Sequence, residues 1–270
     1  MLALELFKNQ IEQTSAQLAT SSNMKIPDLP PPHTPLQQVI ADLPLLAKLA
    51  GHAEEWSGLI ASAIATENKQ TPIGDSAMAE IEFWRRRSGI LRGINEKASS
   101  AAVNRVREIL KVAESGDVPD LDAATKDRAS ITVHGGSILA HLDAQFHAAN
   151  KLYSEASANA KFLSTLEKYF KDLNTATLAG IEESLPSLMN AIRMVWIISR
   201  HYNRDERMVP LLSRIAGEIA SRVRQAVDIR TLFSQPPEAV RQVVQQAKSL
   251  LESWSTVHFL AHSTQYSKGD

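Results

Sequence analysis

The sequence reads as all-α, an elongated array of packed helical bundles. The clearest sign is Leu178–Met208, where Leu178, Ile181, Leu185, Leu188, Ile192 and Val195 alternate at spacings of three and four. That spacing lays a continuous apolar seam along one side of a helix, and Met189 and Trp196 widen it. A seam so wide has to be covered by other helices. Strand signals, by contrast, are scarce. The chain has 11 glycines, no Asn-Gly or Asp-Gly turn between alternating apolar runs, and one short strand-like patch, Ser130–Gly135.

Taken in order, residues 2–20 predict a first helix with Leu2, Leu6, Ile11 and Leu18 on one side. Lys25–Pro35 (KIPDLPPPHTP) follows. Its prolines fix φ and remove donors, so it reads as an extended connector rather than a ligand for an aromatic groove. Residues 36–66 carry Val39, Ile40, Leu46, Leu49, Trp56 and Ile60 at helical spacing, with Pro44 and Gly51 expected to bend or split the helix. Asp75 or Ser76 is placed to cap a helix through Lys97, whose apolar face is Ile81, Trp84, Leu91 and Ile94. Another helix is expected over Ala101–Ala113. Residues 115–137, rich in Asp, Gly and Ser, predict a flexible loop with one short helical turn. Helix returns from Ile138 to about Asp172, with Leu139, Leu142, Phe146, Ala149, Leu152, Phe162, Leu166 and Tyr169 inward. In the seam helix, Pro186 predicts a kink or a restart capped by Ser184. A helix over about Pro210–Val227 presents Leu212, Ile215, Ile219 and Val223. The last begins at Ser234–Glu238 (SQPPE) and runs to about Phe259 through Val240, Val244, Ala247, Leu251 and Trp254.

Composition narrows the function classes. Hydrophobic residues make up 44%, enough for a core, and 29 basic residues face 30 acidic ones. A near-neutral chain has no global pull towards nucleic acid or an anionic membrane. The absence of cysteine excludes disulfides and thiolate metal sites and fits a reducing compartment. The N-terminus has an early acidic residue and no uninterrupted apolar core, so no signal peptide is expected. No apolar run approaches the roughly 18 residues of a membrane span. A soluble cytoplasmic protein is expected, without membrane insertion or nucleic-acid binding.

Six blocks carry a family resemblance. They are Glu54–Ile60 (EEWSGLI), Met78–Leu91 (MAEIEFWRRRSGIL), Ser154–Leu173 (SEASANAKFLSTLEKYFKDL), the seam helix with SRHYNRDERM, Leu211–Phe233, and Pro236–Trp254. In this order they resemble the N-terminal tail (stem) of dynein heavy chains. The YN-x-x-ER wording leans towards an axonemal inner-arm chain. Some positions depart from the pattern. Ala158 stands where the family usually has Asp, and His258 and His262 stand where it has Tyr and Arg. The later tail and the motor have no counterpart here, so a fragment, a truncated paralogue or an incomplete gene model is expected.

The motor of such proteins hydrolyses ATP through P-loops, in which glycine amides cradle phosphate and a Lys-Ser/Thr pair follows. Gly135-Gly136 and Gly89 with Gly93 lack that pair. Neither G-x-S-x-G nor a thiol nucleophile occurs. His134, His141 and His147 come without H-E-x-x-H or a comparable carboxylate pattern and read as surface histidines. Glu54-Glu55 and Glu182-Glu183 read as solvated charges. Arg85, Arg86 and Arg87 fan over about 200° of a helix, which suits salt bridges to neighbouring helices better than one basic face. The cluster of Arg200, His201, Tyr202, Asn203, Asp205, Glu206 and Arg207 reads as a capped, salt-bridged corner rather than a partner contact, and Trp84 and Trp196 as core anchors.

The expected organisation is therefore an N-terminal helix and connector (1–35), a first bundle segment (36–114), the loop (115–137) and a second bundle segment (138–270). The resemblance implies a non-catalytic tail module without catalytic residues, cofactor or metal. Its partners would be other dynein heavy chains and dynein intermediate or light chains, at the cytoskeleton of a cilium or flagellum axoneme. The alternative is a free-standing helical adaptor or tether. The final helix carries more apolar residues than one packing face needs, so Val244, Leu251, Trp254 and Phe259 are the expected partner-binding residues.

Overall fold

A computed structural model describes residues 23–116, 121–133, 137–228, 230 and 234–263, with Ser137 and residues 257–263 described by backbone alone. Among these residues every regular element is helical. The α-helices are α1 (Leu36–Ala41), α2 (Leu43–Lys69), α3 (Ala77–Ala98), α4 (Ala101–Ser115), α5 (Ala123–Thr132), α6 (Ser137–Leu163), α7 (Glu167–Thr175), α8 (Leu178–Ile198), α9 (Asp205–Ala226) and α10 (Pro237–Ser263). A single 3₁₀ turn, Ser164–Leu166, joins α6 to α7. No helix among the described residues is long and apolar enough to cross a membrane. The helix expected over residues 2–20 lies outside the described residues. The contacts divide the chain into two compact units that interleave in sequence. One takes Met1–Gln70 with Arg86–Ser154, the other Thr71–Arg85 with Glu155–Asp270.

In the first unit the split between α1 and α2 falls at Asp42, whose side chain accepts from the Leu45 amide at 3.1 Å while Pro44 occupies the first helical turn. Proline belongs there, because that amide would have no helical partner. Helix α2 runs unbroken through Gly51. Its Trp56 is fully buried and donates its indole N–H to the Lys25 carbonyl at 3.1 Å. Arg105 donates to the Thr34 carbonyl at 3.1 Å, so both ends of the connector are pinned. Arg87 donates to the Glu67 carbonyl at 3.0 Å and to Asn68 Oδ1 at 2.9 Å, and Arg86 lies 3.6 Å from the Glu67 carboxylate. These cations meet the C-terminal end of α2, where free carbonyls and the helix dipole favour positive charge. Helix α4 stops at Gly116, whose φ of +65° is the left-handed conformation that glycine adopts without steric penalty. The stretch expected to be a loop with one helical turn contains α5, 10 residues long. Asp122 caps it, accepting from the Thr125 amide at 2.9 Å, and Ala129 is fully buried.

In the second unit all six seam residues of α8 are buried, from Leu178 to Val195. Trp196 departs from expectation. It lies on the same side of α8 as the seam but, in the last turn of the helix, is only half-buried. The cap of α8 is Thr177, which accepts from the Gly180 amide at 3.2 Å, and the helix continues through Pro186 rather than restarting at Ser184. Ser184 bonds instead to the Ile181 carbonyl. The 3₁₀ turn advances three residues per revolution instead of 3.6, over one turn only. The buried positions nevertheless keep helical spacing across it, through Ala149, Ala156, Leu163, Leu166, Phe170 and Leu173, while Phe162 and Tyr169, expected inward, stand one residue off that series and are only half-buried. Helix α9 begins earlier than expected, at Asp205. Its first turn takes in Asp205 and Glu206, whose charges suit a helix N-terminus. Arg85 pairs with Glu167, which also holds Lys171 at 2.7 Å.

Candidate functional site

Helix α10 packs through Ala247 and Leu250, both buried, against its neighbours. On its α8-facing side, Ser249 and Ser253 donate to the Glu182 carboxylate at 2.6 and 3.1 Å. The rotation of the helix about its axis is therefore fixed by a polar clasp as well as by burial. That rotation leaves a second apolar ridge uncovered. Val244 is 45% exposed and Leu251 44%. Opposite them, the last turns of α9 present Val223 and Val227, both half-buried.

Together these residues form an open groove of about 510 Å³. Its apolar floor is Val223, Val227, Val244, Ala247 and Leu251, and its rim is Arg224, Lys248 and Glu252. The rim charges are engaged locally. Lys248 lies 3.8 Å from Glu252, and Arg224 donates to the Ala220 carbonyl at 3.3 Å. The lining contains no hydroxyl, imidazole or thiol. Such a surface accepts apolar side chains from another protein segment and holds its own charges at the edge. Of the residues expected to bind a partner, Val244 and Leu251 line the groove. Trp254 lies a turn further on and is half-buried. The side chain of Phe259 lies outside the described residues. Sequence reasoning missed Val227 as part of the opposite wall, because it sits at the helix end, past the last seam position of α9.

The corner between α8 and α9 is turned inward. Tyr202 is fully buried, and its hydroxyl donates to Glu80 Oε1 while accepting the Trp84 indole N–H at 2.7 Å. Burial, and then the neighbouring Glu80 carboxylate, push the phenol well above its ordinary range, so it stays protonated and able to donate. The Arg207 guanidinium lies 4.9 Å from the centre of the Trp84 ring and 3.0 Å from Glu155. Ser199 accepts from the amides of His201 and Tyr202 at 3.3 and 3.1 Å, which fixes the turn. Arg214 reaches Glu80 at 3.6 Å and bonds the Gly74 carbonyl before α3. Glu218 accepts from the Ala77 amide at the start of α3, and burial raises its pKa. The motif cluster thus ties α3, α8 and α9 together. His141 and His147 are exposed on α6, and His134 lies outside the described residues.

Comparison with known proteins agrees with the resemblance in the sequence. The profile of the family described as dynein heavy chain, N-terminal region 1, matches residues 46–268. The Dynein-1-alpha heavy chain of the flagellar inner arm I1 complex of Chlamydomonas reinhardtii is 37% identical over 93% of this chain. The human dynein axonemal heavy chain 10 is 32% identical over 96% of it. The chain spans 5% of the length of each of these relatives. It belongs to the dynein heavy chain N-terminal region 1 family.

Proposed function

We propose that this chain acts as a non-catalytic tail module through which dynein heavy chains associate and the dynein complex is assembled, in microtubule-based movement at the axoneme. The observation that carries the reading is the similarity to axonemal heavy chains over nearly the whole chain, together with the match of residues 46–268 to the family of the heavy-chain N-terminal region. The groove between α9 and α10 supports it, since an apolar floor with a charged rim suits protein association. The partners in this reading are other heavy chains, with intermediate or light chains bound to the same assembly.

The test is co-sedimentation of the full chain with a longer heavy-chain tail polypeptide. Association is expected, and Val244→Asp combined with Leu251→Asp is expected to abolish it. A chain that ignores every tail segment would instead be a free-standing helical adaptor. The purified chain is also expected to hydrolyse no ATP above buffer. Sustained turnover lost on changing one of its residues would reject the non-catalytic reading.

A further inference from the structure

The last two turns of α8 present a second face to solvent, opposite the seam. Met194, Ile197 and Ile198 are each 52% exposed, although Ile192 and Val195 in the same turns are buried. Their offsets of three and four residues place them on one ridge. From Ser184 to Arg204 the sequence contains three arginines, Arg193, Arg200 and Arg204, and no carboxylate. All three are exposed, and none of their side chains has an ion pair or hydrogen bond among the described residues. At 3.6 residues per turn, Arg193 falls on the flank of Ile197, and Arg200 follows it just past the helix end. The turn carrying Arg200 is held by the Ser199 hydrogen bonds and by buried Tyr202, so this charge is presented from a fixed backbone. Single exposed apolar residues are ordinary. Three contiguous ones beside unpaired cations make a surface with both halves of a recognition chemistry.

We propose that this face docks an acidic amphipathic helix of a partner protein. Its apolar residues, at three- and four-residue spacing, would cover Met194, Ile197 and Ile198, and its carboxylates would meet Arg193 and Arg200. Charge complementarity selects this occupant over a basic or neutral helix. It is favoured over an anionic membrane because exposed Asp205 and Glu206 follow Arg204 directly and the whole chain carries a net charge of −1. The face shares no residue with the α9–α10 groove, so the inference goes beyond the assembly reading and stands apart from it.

The experiment is fluorescence anisotropy of the full chain with a labelled synthetic helix bearing leucines at this spacing and flanking glutamates. Saturable binding is expected. Arg193→Glu with Arg200→Glu should weaken it by about tenfold or more, and exchanging the peptide's glutamates for lysines should restore binding to that variant. Ile197→Ser, a milder change at an exposed position, should weaken binding without altering the helical circular dichroism signal. Val244→Asp with Leu251→Asp, in the groove, should leave it unchanged. Three outcomes would overturn the proposal: no saturable binding of the acidic helix, equal binding of its lysine version to the unmodified chain, or preference for phosphatidylserine–phosphatidylcholine vesicles.

Discussion

Trp84 and Trp196 both stand in apolar helical stripes, yet only Trp84 is fully buried, with its indole N–H bonded to Tyr202. Trp84→Ala is expected to cost about 3–5 kcal/mol. Trp196→Ala is expected to cost less than half as much, because half-buried side chains lose less transfer free energy and leave no closed cavity. Urea denaturation of the two variants side by side checks this, and equal losses would contradict it. Tyr202→Phe keeps the ring and removes the hydroxyl, leaving Glu80 and Trp84 each short of a partner. A loss of roughly 1–3 kcal/mol is expected in the same assay. These distinctions were not readable in the sequence, because the partner of Trp84 lies 118 residues away. Glu167 gives a pH prediction. Hydrogen bonding from Arg85 and then Lys171 lowers its pKa from 4.5 to about 2. A carboxylate with a lowered folded-state pKa stabilises the fold above the unfolded value. That contribution fades as pH falls from 4.5 towards 2. Glu167→Gln should therefore flatten the acid side of the stability profile in that window, as followed by denaturant midpoints. An unchanged profile would mean that the pairing contributes nothing.

At the scale of the element, legibility depends on whether apolar positions choose a face. In α8 the spacing of three and four admits one face, and the six seam residues are all buried. In α10 the doublets Val243-Val244 and Leu250-Leu251 admit two rotations about 100° apart, and the line expected from the sequence, through Val244 and Leu251, is not the buried one. Packing and the Glu182 clasp choose, burying Leu250 and exposing Leu251. Leu250→Ala is accordingly expected to cost about 2–5 kcal/mol, and its neighbour Leu251→Ala within about 0.5 kcal/mol. Reversed values would mean that α10 is rotated and the groove closed. The 3₁₀ turn at Ser164–Leu166 was hidden for a different reason. No proline or glycine marks it, and the buried Leu163, Leu166 and Phe170 keep ordinary helical spacing across it. Helix α5 was hidden because its ten residues have little amphipathic contrast and bury a single small side chain, Ala129.

For the whole molecule, the all-α class and the family were readable, since both rest on patterns that extend through most of the chain. The interleaved units were not. Their boundaries at Gln70–Thr71 and Arg85–Arg86 coincide with no lasting shift in composition, and the second falls inside α3. The near-neutral charge, 29 basic against 30 acidic residues, bears on how the chain associates. Long-range attraction between copies or tails is weak at such a balance, so the proposed association would rest on apolar burial at the groove. Two consequences separate this from electrostatic pairing. Raising salt from about 0.1 to 1 M shortens the screening length from roughly 10 to 3 Å. Association through Val244 and Leu251 should survive that change or strengthen, whereas binding at the arginine face of α8 should fall away. Burial of apolar area should also give a negative heat-capacity change. Sedimentation equilibrium of the chain with a longer heavy-chain tail polypeptide across a salt series, with calorimetry at several temperatures, measures both. Association that disappears at high salt, with no heat-capacity change, would move the assembly contact from the groove to charged surface.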